Sequence, residues 1–242
     1  MMRPALLTRI RRFRPADDGL AATELALVLP MLLALLLGGI QLVAYVNASR
    51  KVDLVVRSIS QMISQAPPPT DNSTVNGLVN QGDLHFSYDA SLVLFPFLMS
   101  EGRRQGRQWW QVITINYASI QFKPTAATCA DPTDQSACYS ANVVWTSTGT
   151  TQPASGPLYR RCGAALIPAD NNAAATPTTL PRSLYGPASV VVIDAVFTFT
   201  PTFGARYLPS FDIKRSAYIQ PRYAPLIDYD TTGNDGIATK CP

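Results

Sequence analysis

Two residues at the edge of a long apolar run have types and spacing that invite chemistry. They are Gly19, followed by a peptide bond open to cleavage, and the carboxylate Glu24 five residues further on. Glu24 leads into LALVLPMLLALLLGGIQLVAYV, Leu25 to Val46, which has no charged residue and only Gln41 as a strongly polar one. A charge at the centre of a membrane-spanning helix costs about 2.5 to 3.5 kcal/mol, whereas one near an end reaches the interface for much less. A plain anchor has no use for it. Cleavage after Gly19 would make Leu20 the new N-terminus and put Glu24 at the fifth position of the shortened chain. A carboxylate and an ammonium that neutralise each other can occupy a less polar environment than either could alone.

The remaining catalytic inventory is thin. His85 is the sole histidine, in Leu84-His-Phe86 with no recognisable nucleophile motif, and reads as a surface or partly packed residue. There is no G-x-x-x-x-G-K-[ST] phosphate loop and no H-E-x-x-H helix. The expectation is a protein without catalytic residues, without a cofactor and without a metal. The cysteines, Cys129, Cys138, Cys162 and Cys241, permit three complete pairings. Their spacing favours Cys129 with Cys138 as a loop staple, leaving Cys162 to hold the tail at Cys241. Zinc is the weaker use, since no C-x-x-C occurs and His85 is distant in sequence.

These residues need a membrane helix to position them. At about 1.5 Å per residue the apolar run spans the ~30 Å hydrocarbon core of a bilayer. A cleaved secretory signal has a shorter apolar region and a small-residue cleavage site beyond it, so retention is the expectation. Arg3, Arg9, Arg11, Arg12 and Arg14 precede the run, while Arg50, Lys51 and Arg57 follow it. That excess predicts a single pass with a cytoplasmic N-terminus and an exported C-terminal region, where disulfides persist. Pro30 removes a helical hydrogen bond and is expected to kink the span. Val52, Val55, Val56, Ile59, Met62 and Ile63 continue at helical spacing as an amphipathic stem. Pro67-Pro68-Pro69 ends it.

In Gly19, Glu24, the stretch Glu24-Leu-Ala-Leu-Val-Leu-Pro30 and the leucine-rich continuation through Gly38-Gly39, the sequence resembles the TadE-like pseudopilins of tight-adherence, Flp-type pilus systems. The resemblance covers roughly residues 17 to 66, about a fifth of the chain. It implies a minor pilin of the bacterial inner membrane, non-enzymatic, with its C-terminal domain periplasmic or extracellular. It further implies processing by a prepilin peptidase between Gly19 and Leu20, with Glu24 serving peptidase recognition and subunit assembly. The implied partners are that peptidase, other pilin or pseudopilin subunits, the inner-membrane assembly platform and the lipid bilayer. The competing function is a single-pass envelope protein whose exported domain binds a ligand or modifies a substrate.

The expected organisation is a leader over 1–19, a transmembrane helix over 20–46, a stem helix over 47–66 and an exported domain over 67–242. Residues 67–82 read as a linker with room for a short helical piece, 83–100 as one short helix or an irregular segment, and Glu101 to Arg107 as a polar turn. Strands are expected at Trp110 to Phe122, Asn142 to Thr146, Val190 to Thr200 and Phe211 to Gln220. Thr146 to Pro187, rich in Thr, Ala, Pro and Asn, reads as loop rather than core. The fold class is therefore α+β, a long helix packed on an antiparallel sheet. Formal charge is +4, and loss of a leader with five Arg and two Asp would leave +1. Near neutrality of that kind argues against nucleic acid as a partner.

Overall fold

The computed structural model describes residues 18–126, 129, 131, 133–151, 154–203 and 208–242, so the arginines of the expected leader, Arg3 to Arg14, lie outside the described residues. One helix, α1, runs unbroken from Asp18 to Ser64 and contains Pro30. Its 47 residues extend roughly 70 Å at about 1.5 Å each. Every Leu, Ile, Val and Met between Leu25 and Val46 is exposed. Beyond that point the same helix turns Ala48, Val52, Val55, Val56, Ile59 and Ile63 into a core, all at 3% exposure or less. Met62, expected on that face, lies at the edge of the stripe and is exposed, lining a surface groove with Pro67 and Phe86. The helix closes through tightened turns, Gln65 N–H to Met62 O and Ala66 N–H to Ile63 O, before the three prolines.

The chain then forms β1 (Gly77–Val79), α2 (Gln81–Leu94), α3 (Phe97–Gln105), a 3₁₀ turn (Trp109–Gln111), β2 (Ile113–Pro124), β3 (Tyr139–Thr151) and β4 (Ala154–Leu158). There follow β5 (Ile167–Ala169), β6 (Thr179–Pro181), β7 (Val190–Phe199), β8 (Phe211–Ile219), β9 (Ile227–Tyr229) and β10 (Ala238–Lys240). The main sheet has the order β10-β3-β2-β7-β8, antiparallel throughout, with β4 on β3. The fold is α+β.

The stem half of α1 crosses β7 and β8. Tyr45 meets the rings of Phe199 and Phe211 at 6.1 and 5.3 Å, Arg215 donates to Ser49 Oγ, and Arg222 N–H donates to Ser64 O at 2.9 Å. Helix and β8 therefore run in the same direction. The two-residue period of a strand divides β7 between two cores. Val191, Ile193, Ala195, Phe197 and Phe199 face the helices, while Val190 and Val192 face away. On β3 the register shifts opposite Ser119 and Ile120, leaving Val144 as an extra residue. Such a bulge reverses side-chain parity. Val143 consequently points into the second core and Trp145 into the first.

Several expectations are corrected. The stretch 67–82 is more than a linker, because β1 pairs in parallel with β9 and Asn80 caps α2 reciprocally with Asp83. Gly77 is required there: a Cβ would lie 2.3 Å from Ala66 O. The segment 83–100 belongs to two helices rather than one. Glu101 to Arg107 is no simple turn, since α3 runs to Gln105 and buries Glu101 completely. Its carboxylate accepts from Gln105 Nε2 at 2.6 Å, from Thr200 N–H at 3.1 Å and from Arg104. Charge-assisted bonds of this kind offset the cost of burying a carboxylate.

Thr146 to Pro187 is not merely loop. It contributes β4, β5 and β6, and Leu166, Leu180 and Tyr185 complete the second core against Ile120, Phe122 and Val192. Arg160, from the same stretch, is 1% exposed. It holds Asp194 of β7 through Nε at 2.7 Å and a second nitrogen at 3.1 Å, and donates to Thr179 O at 3.1 Å. Burial pushes the guanidinium pKa down, but the Asp194 charge and its hydrogen bonds more than offset this and hold it above its ordinary value.

Candidate processing and assembly site

Gly19 is the second residue of α1. Glycine is about 1 kcal/mol less favourable than alanine within a helix, so it weakens the first turn where a peptidase would need an extended backbone. Residues 1–17 lie outside the described residues. Glu24, one turn beyond Leu20, is exposed and has no ion pair among the described residues. Helical side chains tilt toward the N-terminus, so its carboxylate leans toward the end of the helix. In a chain beginning at Leu20, the amine and the following amides would be the unsatisfied donors of that end, at the positive pole of the helix. A carboxylate one turn inside can accept from such an amine, its own or that of a neighbouring helix.

Behind Glu24 the apolar residues of α1 from Leu25 to Ile40 are all exposed among the described residues. Gly38 and Gly39 have open space where a Cβ would stand, and the small residues Ala22, Ala26, Pro30, Ala34 and Gly38 are exposed along the same stretch. The helical assignment continues through Pro30. Protein contacts begin at Gln41, whose Nε2 donates to Phe203 O at 3.2 Å.

Far from this end, the structure joins Cys129 to Cys138, with Cα atoms 5.7 Å apart, and Cys162 to Cys241, at 5.3 Å. The first closes the connection from β2 to β3. The second ties the segment before β5 to the tail after β10. His85 Nε2 stands 2.8 Å from Asp235 Oδ2 at the surface. Burial raises the Asp235 pKa, but the bonds from His85 and from Ile237 N–H outweigh it and hold the carboxyl below its usual value. Asp71 folds into a local turn and accepts from Ser73 N–H at 3.0 Å. No group of three or more potential metal-ligating side chains occurs among the described residues. A cleft of about 520 Å³ opens between β2 and the segment leading to β5, lined by Thr114, Asn116, Tyr159 and Arg161.

The model of the TadE-like protein family matches residues 19–60. Residues 19–60 are a TadE-like segment. The match begins at Gly19 and ends within the stem, so it takes in the exposed run and most of the buried face that follows it. Neither the curated proteins nor the solved structures return a match. The TadE-like segment covers most of the one helix among the described residues that is long and apolar enough to cross a membrane.

The residues that sequence reasoning missed lie outside this segment. Glu101, Arg160 and Asp194 fall in stretches that read from the sequence as turn, loop and strand. Asp194 carried a readable signal, a lone carboxylate inside the apolar strand VVVIDAVF, which a buried strand tolerates only with a partner. The partner's identity had no such signal.

Proposed function

We propose that this chain is a non-enzymatic minor pseudopilin of a tight-adherence, Flp-type pilus assembly or secretion system. A prepilin peptidase removes the leader 1–19 after Gly19. The segment 20–46 stays in the bacterial inner membrane, and the stem 47–66 carries the domain 67–242 on the periplasmic side. Glu24 then pairs with an N-terminal amine as helices gather with other pilin or pseudopilin subunits on the assembly platform. The supporting observation is the division of one continuous helix. Its first half bears Gly19 and Glu24 at the end and leaves its apolar residues uncovered, and its second half is built into a folded domain. A helix with those two halves can be gathered into a filament by the first while the second keeps its cargo rigidly attached.

N-terminal sequencing of the membrane-extracted protein tests the proposal. The expected mature chain starts at Leu20, and Gly19→Leu should abolish processing. An intact leader in cells that possess the peptidase would falsify it. Glu24→Ala should leave membrane insertion unchanged while reducing piliation, and normal piliation in that variant would remove the carboxylate from the mechanism.

A further inference from the structure

The apolar run of α1 and the sheet domain overlap. If Glu24 marks one face of a ~30 Å hydrocarbon core, the opposite face falls near Ala44 at about 1.5 Å per residue. Gln41 then lies roughly 5 Å inside that face, counted along the helix. Yet Gln41 is hydrogen-bonded to a carbonyl of the sheet domain, Phe203 O, from the connection between β7 and β8. The domain must reach down to the same depth.

The side chains around that contact suit lipid. Phe203, Leu208 and Phe211 are 42%, 51% and 42% exposed, on the connection and at the start of β8, where a soluble surface would carry polar residues. Tyr45 packs against both Phe199 and Phe211, which also touch each other. On α3, Phe97 is exposed and borders a groove with Ala44, Asn47 and Lys51. Exposed aromatic residues thus flank α1 between Gln41 and Lys51, on the side of β8 and on the side of α3. Aromatic side chains concentrate at membrane interfaces, and apolar surface segments enter the boundary between headgroups and acyl chains by about 5–10 Å. Arg50 and Lys51 stand roughly 10 Å above Ala44, where long cationic side chains reach lipid phosphates.

We propose that the base of the sheet domain, formed by Phe203, Leu208, Phe211 and Phe97 around Tyr45, is seated in the lipid of the leaflet on the domain's side of the membrane. The inference rests on the membrane-spanning reading of α1 and adds a second, shallow contact to it. It also explains the one strongly polar residue of the apolar run. A loop carbonyl at that depth has no water to bond, and Gln41 supplies the donor. With both contacts made, the domain is held at a fixed height and rotation about α1, which a single spanning helix would leave free.

Tryptophan quenching in full-length protein reconstituted into phosphatidylcholine–phosphatidylglycerol vesicles tests this, using acyl chains brominated near the headgroup. Phe203→Trp and Leu208→Trp should each add emission quenched about threefold more than that added by Tyr223→Trp, an exposed position next to the Arg222–Ser64 contact at the far end of the stem. Leu36→Trp, in the centre of the span, reports on the helix itself with deeper bromines. Quenching at Leu36→Trp with Phe203→Trp and Leu208→Trp no different from Tyr223→Trp overturns the seated base and leaves the span intact. No quenching at Leu36→Trp overturns both. In the unsubstituted protein, a photoactivatable acyl chain should label the peptide 200–211 and spare 221–230. Crosslinks from 200–211 to a second copy of the chain in place of lipid would overturn the proposal as well.

Discussion

Leu33 and Ile59 are aliphatic residues of one helix, separated by about seven turns, and their surroundings have nothing in common. Leu33 is 47% exposed, whereas Ile59 is fully buried against the sheet. The first half of α1 is apolar on every side, the second on one stripe only. A helix apolar all round needs an apolar solvent, and one with a single stripe needs a single wall. The TadE-like segment contains both kinds in sequence and so carries its own change of environment, at Gln41 to Ala48.

Substitutions should separate the halves, and the largest difference is expected for a charge. Ile59→Asp buries an unpaired carboxylate and should prevent the domain from folding. Leu33→Asp should leave the melting of the detergent-solubilised protein unchanged and weaken membrane insertion by about 2.5 to 3.5 kcal/mol. Circular dichroism and membrane fractionation read the two effects, and equal loss of folding in both variants would erase the distinction. Next comes Arg160→Ala, which strands Asp194 in the interior and should cost about 3 to 5 kcal/mol, read as a large drop in Tm with insertion unaffected.

A smaller effect belongs where the halves meet. Gln41→Leu removes the donor to Phe203 O and should cost about 0.5 to 1.5 kcal/mol, seen as faster amide exchange around residues 199–203 with exchange near Ser64 unchanged. The smallest is at the surface. The Asp235 carboxyl is held below its usual 3.8 by its bonds from His85 and Ile237 N–H, so its stabilising contribution is complete above that value. It is lost as pH falls through the lower folded-state pKa. Asp235→Asn should flatten this part of the acid melting curve slightly, and an unchanged curve would show that the contact is inert.

The strands from Trp110, Asn142, Val190 and Phe211 were legible because β-branched and aromatic residues cluster there with turn formers between them. The structure places β2, β3, β7 and β8 on those segments, with shifted ends. Val52 to Ile63 was legible because its 3.6-residue period is local. Glu101, in a run of Gly, Arg and Gln, was misread because its partners Thr200 and Arg104 include one nearly a hundred residues away. Leu166, Leu180 and Tyr185 were not legible as core because they lie in apolar runs too short to show a period, and only the second face of the sheet gives them a place to pack.

What the sequence determined alone was the long N-terminal helix: its all-round apolar run and the one-sided stripe of its second half follow from spacing along one helix, a structure whose hydrogen bonds join near neighbours. The tertiary structure decided how far the sheet domain reaches along that helix, which side chain meets Gln41, and how Arg160 finds Asp194. Those contacts join residues far apart in the chain, and their energy depends on burial and geometry that no local pattern encodes.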